Sequence, residues 1–189
     1  AGLQFKVDVV LNNRREVVGL FAGDLVEEHR AGVKAAREVY STEPMHNADV
    51  LVVNSYPDEP QMGRALWPVA HSLNEGGDVV LVNHSHEGQN LHQWSGRFGK
   101  EYGGRHYNPD LLYRNLRKVS RIIVMAPHLS RYDREMAGPA EKVTWCRTWA
   151  EVLAVLAGRH GPGTRVGVYP YAAMQLPVPV REPAVAGTR

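Results

Sequence analysis

A single cysteine, Cys146, stands among the 189 residues, so no internal disulfide can form. The fold must rest on burial and hydrogen bonding, as suits a reducing compartment. No apolar run reaches the length of about 18 residues that a membrane helix needs, and no signal peptide or lipidation motif occurs. The expectation is a cytoplasmic protein with no membrane partner. Runs of Lys and Arg are also missing, and 22 basic against 20 acidic residues leave a net charge of only +2. That balance gives no reason to expect a nucleic-acid partner. No Gly-x-Gly-x-x-Gly follows the first buried strand and no P-loop is present, which disfavours a dinucleotide or ATP site of the usual kind. The chain shows no internal repeat. It opens AGLQFKVDVVL without Met and enters a strand almost at once. We expect a piece of a longer protein.

What is present is a globular composition, 43% hydrophobic and 22% charged, enough for one domain with an appendage. QFKVDVVL and EVVGLFAG flank the turn LNNRRE, with apolar residues alternating against polar ones, and predict a β-hairpin over 4–22. Asp24 is placed to cap a helix, with Glu27 at the capping-box position. Leu25, His29, Val33, Ala36 and Val39 or Tyr40 then recur at helical spacing and predict an apolar stripe. STEPMHNA reads as a linker. From Asp49 the chain alternates continuous apolar runs (DVLVVN, DVVLVNH, SRIIVMAP, VTWC, RVGVYPY) with helical stretches, among them LLYRNLRKV, LSRYDREMAG and TWAEVLAVLAGRHG. Such runs mark strands buried on both faces. The fold class expected is therefore α/β, a doubly wound, Rossmann-like parallel sheet of about five strands behind a hairpin and linker helix. The expected divisions are 1–48 for hairpin and linker helix, 49–176 for the Rossmann-like domain, and 177–189 for a Pro-rich, extended tail.

In such a sheet ligands bind beyond the carboxyl ends of the strands. Those ends carry Asn54, Ser55 and Tyr56, then Asn83, His84, Ser85, His86 and Glu87, then Pro127-His128 and Pro170-Tyr171. Asn54, Ser55, His84, His86 and Glu87 are expected to line the crevice. After Tyr56 the segment PDEPQMGR predicts a helix capped by Asp58. Met62, Leu66, Val69 and Leu73 form its apolar stripe, and Pro68 is expected to kink it. Gln61 and Arg64 fall clear of that stripe and close together. A helix start attracts anions, a guanidinium grips a carboxylate, and an amide both donates and accepts. Gln61 and Arg64 therefore suit a small carboxylate bearing a hydroxyl, although Gln61 also sits where a capping-box residue would, and Arg64 can simply be solvated. His84 and His86 share one side of an extended segment and, with Glu87, suit a metal-dependent hydrolase; His92 follows shortly after. A His-x-His on a loop more often hydrogen-bonds than ligates, so no metal site is expected. Cys146 and the four Trp are assigned to packing.

VDVVLNNRREVVGLFAGDLVEEHRAGVKAAREVY resembles the segment joining the two domains of the nickel-dependent lactate racemase family. ADVLVVNSYPDEPQ and EGGDVVLVNHSHEG resemble the start of that family's C-terminal domain. The resemblance runs to about Leu176 and implies a two-domain enzyme that inverts 2-hydroxy acids through hydride removal. A nickel pincer nucleotide joined to a lysine takes the hydride, and two histidines act as acid and base. All of those groups belong to the N-terminal domain, so this chain is expected to hold no catalytic residue, to bind no cofactor alone and to be inactive in isolation. Its partners would be that N-terminal domain and a 2-hydroxy-acid substrate. A further expectation is self-association through the hairpin. The family's substrate-contacting Gln and Lys map onto Gln61 and Arg64, with Tyr56 beside them. Here the Lys is Arg64, the preceding loop is shorter, and Pro60 replaces the usual Tyr. Arg adds a planar fork. The other class of reading is a non-catalytic module that binds a carboxylate metabolite.

Overall fold

The computed structural model describes residues 2–89, 116–128 and 137–178. Most of LLYRNLRKV, nearly all of LSRYDREMAG, His92 and the tail beyond Val178 lie outside these. The chain divides into two compact units, Met45–Ala173 and the segments on either side of it.

In the flanking unit, β1 (Lys6–Leu11) and β2 (Val17–Gly23) pair antiparallel as the hairpin pattern predicts. Asn12 organises the turn: its Oδ1 accepts from the backbone N–H of Arg14 and Glu16. Helix α1 (Leu25–Tyr40) starts where expected, because the Asp24 carboxylate accepts from the N–H groups of Val26 and Glu27. The Tyr40 hydroxyl donates to the Leu11 carbonyl at 2.8 Å and ties the helix end to the ribbon. The buried face of α1 is not the expected one. Glu28 and Gly32 are buried, whereas Leu25, His29 and Val33 are exposed. The Phe21 ring of β2 lies over Gly32, so the helix meets the ribbon through the face carrying Glu28 and Gly32. Short strands β3 (Ser41–Thr42) and β9 (Leu176–Pro177) pair in parallel, so the chain beyond the sheet domain returns to this unit.

The central unit is a five-stranded parallel sheet of β4 (Ala48–Asn54), β5 (Leu73–Val82), β6 (Arg121–Met125), β7 (Val143–Cys146) and β8 (Val166–Tyr169). Its order is β7-β6-β5-β4-β8, the doubly wound arrangement expected from the alternating pattern. Successive residues point to opposite faces. Leu51, Val53, Val79, Leu81, Ile122 and Val124 enter one core cluster, while Val50, Val80 and Ile123 enter the other. Helix α3 (Trp149–Ala157), capped by Thr148, covers the second face through Val152, Val155 and Leu156. Each fully buried Leu or Ile stabilises such a core by roughly 1.5–3 kcal/mol.

The stretch after β4 divides at Pro68, where a kink or split was expected, and breaks once more where none was. A 3₁₀ segment, Glu59–Leu66, breaks at Gln61 (φ −125°, ψ 53°), and α2 spans only Val69–Ser72 after Pro68. Leu73, expected in the helix, already opens β5. Met62, Leu66 and Val69 are nevertheless buried as the stripe requires. Of the tryptophans, Trp145 packs on the core, but Trp67 and Trp149 are exposed and do not fill the packing role assigned to them.

Midway along β5, beside the first residue of β6, sits Asp78, wholly buried and bound by the guanidinium groups of Arg121 (2.5 Å) and Arg159 (3.2 Å) and by His160 (2.7 Å). Burial works against its negative charge, yet the hydrogen bonds from Arg121 and His160 overcome this and hold its carboxyl below the usual range. This network pins the end of the sheet opposite the crevice, where a structural role is the ordinary one.

Candidate functional site at the carboxyl ends of the sheet

The strand order reverses between β4 and β8, and the crevice of a doubly wound sheet opens at that switch point. Here it is flanked by Tyr56, just past β4, and Tyr171, just past β8, whose rings lie 6.0 Å apart. The N–H of Ala172 donates to the Asn54 carbonyl and carries the pairing past the strand ends. The Asn54 side chain accepts from the N–H of Tyr56, so it shapes the turn. Ser55, expected to line the crevice, is instead fully buried. Its hydroxyl donates to the Val82 carbonyl and accepts from the Asn83 amide, which leaves it nothing to offer a ligand.

Asp58 does not cap the helix, which is a correction to the sequence reading. Its φ/ψ are unsuited and no backbone N–H reaches its side chain. Its carboxylate accepts instead from the Arg64 guanidinium at 2.8 Å. The second turn of the segment is capped from elsewhere. The buried Gln89 accepts from the Met62 N–H through Oε1 (2.9 Å) and donates to the Glu59 carbonyl through Nε2 (2.9 Å). Asn83 donates to that same carbonyl at 2.7 Å. Two buried amides thus fix the segment bearing Gln61 and Arg64, neither of which the sequence singled out for that task. Their signal was only a polar residue amid apolar flanks. Gln61 takes up the backbone break and Arg64 is exposed, so helical spacing does not describe their placement.

His84 and His86 project from the end of β5 on either side of the buried Ser85. The third member of their group is His128, past the end of β6, and not Glu87, which is exposed and outside the group. The His86 and His128 rings lie 4.5 Å apart, and His84 approaches His86 at 4.6 Å and His128 at 5.5 Å. Cys146 is a core residue, and burial pushes its thiol up, the opposite of what a nucleophile needs.

The nickel cofactor that the resemblance implies is held by a lysine. No lysine occurs at 54–56, 83–89, 126–128 or 169–172, the described residues that shape the carboxyl ends. These residues do not fit that attachment, which the resemblance places in the N-terminal domain. No described helix is long and apolar enough to cross a membrane.

No family model matches the sequence. It is 29% identical over 93 residues to the lactate racemase of Lactiplantibacillus plantarum, a match spanning 47% of this chain and 22% of that protein. The fold is similar to the lactate racemase apoprotein of Thermoanaerobacterium thermosaccharolyticum, with a TM-score of 0.63 at 17% identity, covering 93% of this chain and 46% of that one. A protein of Thermotoga maritima superposes with a TM-score of 0.51 at 10% identity, over 89% of this chain and 47% of its own. The chain thus spans less than half the length of the proteins it resembles, and is lactate-racemase-like in sequence over 47% of its length and in fold over 93% of it.

Proposed function

We propose that this chain is the C-terminal, substrate-contacting domain of a 2-hydroxy-acid racemase or epimerase working in the cytoplasm. The observation that carries this reading is its coverage of less than half of a lactate racemase fold, together with the sequence likeness to the same kind of enzyme. The acid–base and hydride chemistry would belong to the other half, including the nickel pincer cofactor. This chain would close over the substrate and exclude water. Arg64, oriented by Asp58, would meet the carboxylate with its remaining N–H donors, while Gln61 and Tyr56 would meet the hydroxyl side. The outward face of the hairpin, with Phe5, Val7, Val9 and Leu20 exposed, would dock the other half.

Chiral chromatography of D-lactate incubated with this chain and nickel tests the division of labour. No L-lactate above the blank is expected, and racemisation by the isolated chain would overturn it. Calorimetric titration with D- and L-lactate should show saturable binding that Arg64→Ala weakens roughly tenfold or more.

A further inference from the structure

We propose that His84, His86 and His128 form a binding site for one divalent transition-metal ion of the zinc class, with a coordination position left open. One ring nitrogen from each lies within 4.8 Å of the other two. Three imidazoles on a zinc ion hold their nitrogens about 3.3 Å apart, given Zn–N lengths of about 2.0–2.1 Å. The difference is within what small χ1 and χ2 rotations of exposed side chains supply.

The backbone beneath the rings is built and not incidental. Asn83 is locked by hydrogen bonds to Ser55 (2.9 Å) and the Glu59 carbonyl (2.7 Å), and its Oδ1 accepts from the N–H of Ser85. The Ser85 hydroxyl donates to the carbonyl of Gly88 at 2.6 Å, and Gly88 takes φ +80°, which closes the loop. These bonds impose the exposed–buried–exposed alternation at 84, 85 and 86 that sends both imidazoles to one side. The parallel pairing of β5 with β6 then brings His128 beside them, with Asn83 N–H on the Met125 carbonyl extending the ladder.

Packing does not explain the cluster, since all three residues are exposed and no apolar burial is gained by their convergence. Imidazole suits zinc, copper, iron and nickel, and three neutral ligands leave the ion its full double charge. Its open position therefore favours an anionic oxygen, either hydroxide or a ligand carboxylate. The site lies at the strand ends that bind ligands in this fold, on residues distinct from Gln61 and Arg64. The proposal does not rest on the racemase-type reading, because it is read by metal uptake and not by turnover.

The test uses the tag-free, chelator-stripped chain titrated with Co²⁺, followed by Zn²⁺ in competition. Visible absorption reports a four-coordinate imidazole site, and calorimetry gives the stoichiometry. One ion per chain is expected. His84→Ala, His86→Ala and His128→Ala should each weaken uptake by about 100-fold or more, beyond the loss typical of an outer-shell partner. His29→Ala and His71→Ala should bind as the parent does, and circular dichroism melts of each variant verify folding. Zn²⁺ should raise the melting temperature of the parent and not of the triple variant. No stoichiometric uptake, unchanged binding in His128→Ala, or a loss that follows His92→Ala or His106→Ala instead, would overturn the assignment.

Discussion

The Arg64 guanidinium donates to the Asp58 carboxylate at 2.8 Å, so the residue expected to cap a helix instead holds the cation proposed to meet a substrate. The contrast with Asp24, which does bind two backbone N–H groups, gives a paired prediction. Asp24→Ala should cost about 1 kcal/mol, the usual value of a lost cap. Asp58→Ala should cost well under 1 kcal/mol, because an exposed ion pair contributes little and no cap is lost. Urea titrations of both variants decide it; an equal loss would mean that Asp58 supports the segment in some other way.

Gln89 carries more of the site than its position in the sequence suggests. Replacing it with Leu strands the Met62 N–H and removes a donor from the Glu59 carbonyl. Leaving such buried groups unpaired costs about 1–3 kcal/mol each, so a destabilisation of about 2 kcal/mol is expected. The same variant should weaken lactate binding, since the segment bearing Gln61 and Arg64 loses its anchor. Full retention of both stability and binding would show that Gln89 does not position that segment.

The sheet could be read from the sequence because buried parallel strands are continuous apolar runs, and five of them stand out between Ala48 and Tyr169. Strand order could not, and it is strand order that brings His128 beside His84 and His86 from far along the chain. Local spacing pointed to Glu87 instead. Helix α1 shows a similar limit. Its cap was legible in Asp24, but its buried face lies under Phe21 of the ribbon, a tertiary contact that the apolar spacing does not reveal. At Asp58 the chemistry was legible and the partner was not. The sequence places Asp58 before both a helix start and an arginine, and the backbone it adopts leaves the carboxylate to Arg64.

Acid should unfold the sheet domain through Asp78. Its carboxyl titrates below the ordinary range in the folded chain, so its stabilisation is fully present above the unfolded carboxylate range. That contribution is lost as pH falls through the depressed folded value. Asp78→Asn should flatten the acid limb of a stability–pH curve and cost about 2–3 kcal/mol at neutral pH. This lies at or below the low end for breaking a buried pair, because Arg121 and Arg159 are partly exposed and water can take over their charge. An unchanged acid limb in that variant would assign the sensitivity to other carboxylates.

The hairpin turns its apolar side outward. Val7 and Val9 alternate with Lys6 and Asp8 along β1, and Leu20 pairs with Val9 across the ribbon, 67% exposed. The face toward α1 adds charge to Val10 and Phe21: the Lys6 ammonium meets Asp8 and lies 3.3 Å from the buried Glu28 carboxylate. A two-stranded ribbon is marginal in water without a partner for its apolar face. The isolated chain should therefore self-associate with rising concentration and bind a hydrophobic dye. Val9→Lys combined with Leu20→Glu should abolish both, while changing the unfolding free energy by less than about 1 kcal/mol because the substituted positions are already in water. Sedimentation velocity across a hundredfold concentration range, with dye fluorescence on the same samples, provides the measurement. If the parent sediments as a monomer throughout and leaves the dye dark, the ribbon's outer face is no docking surface.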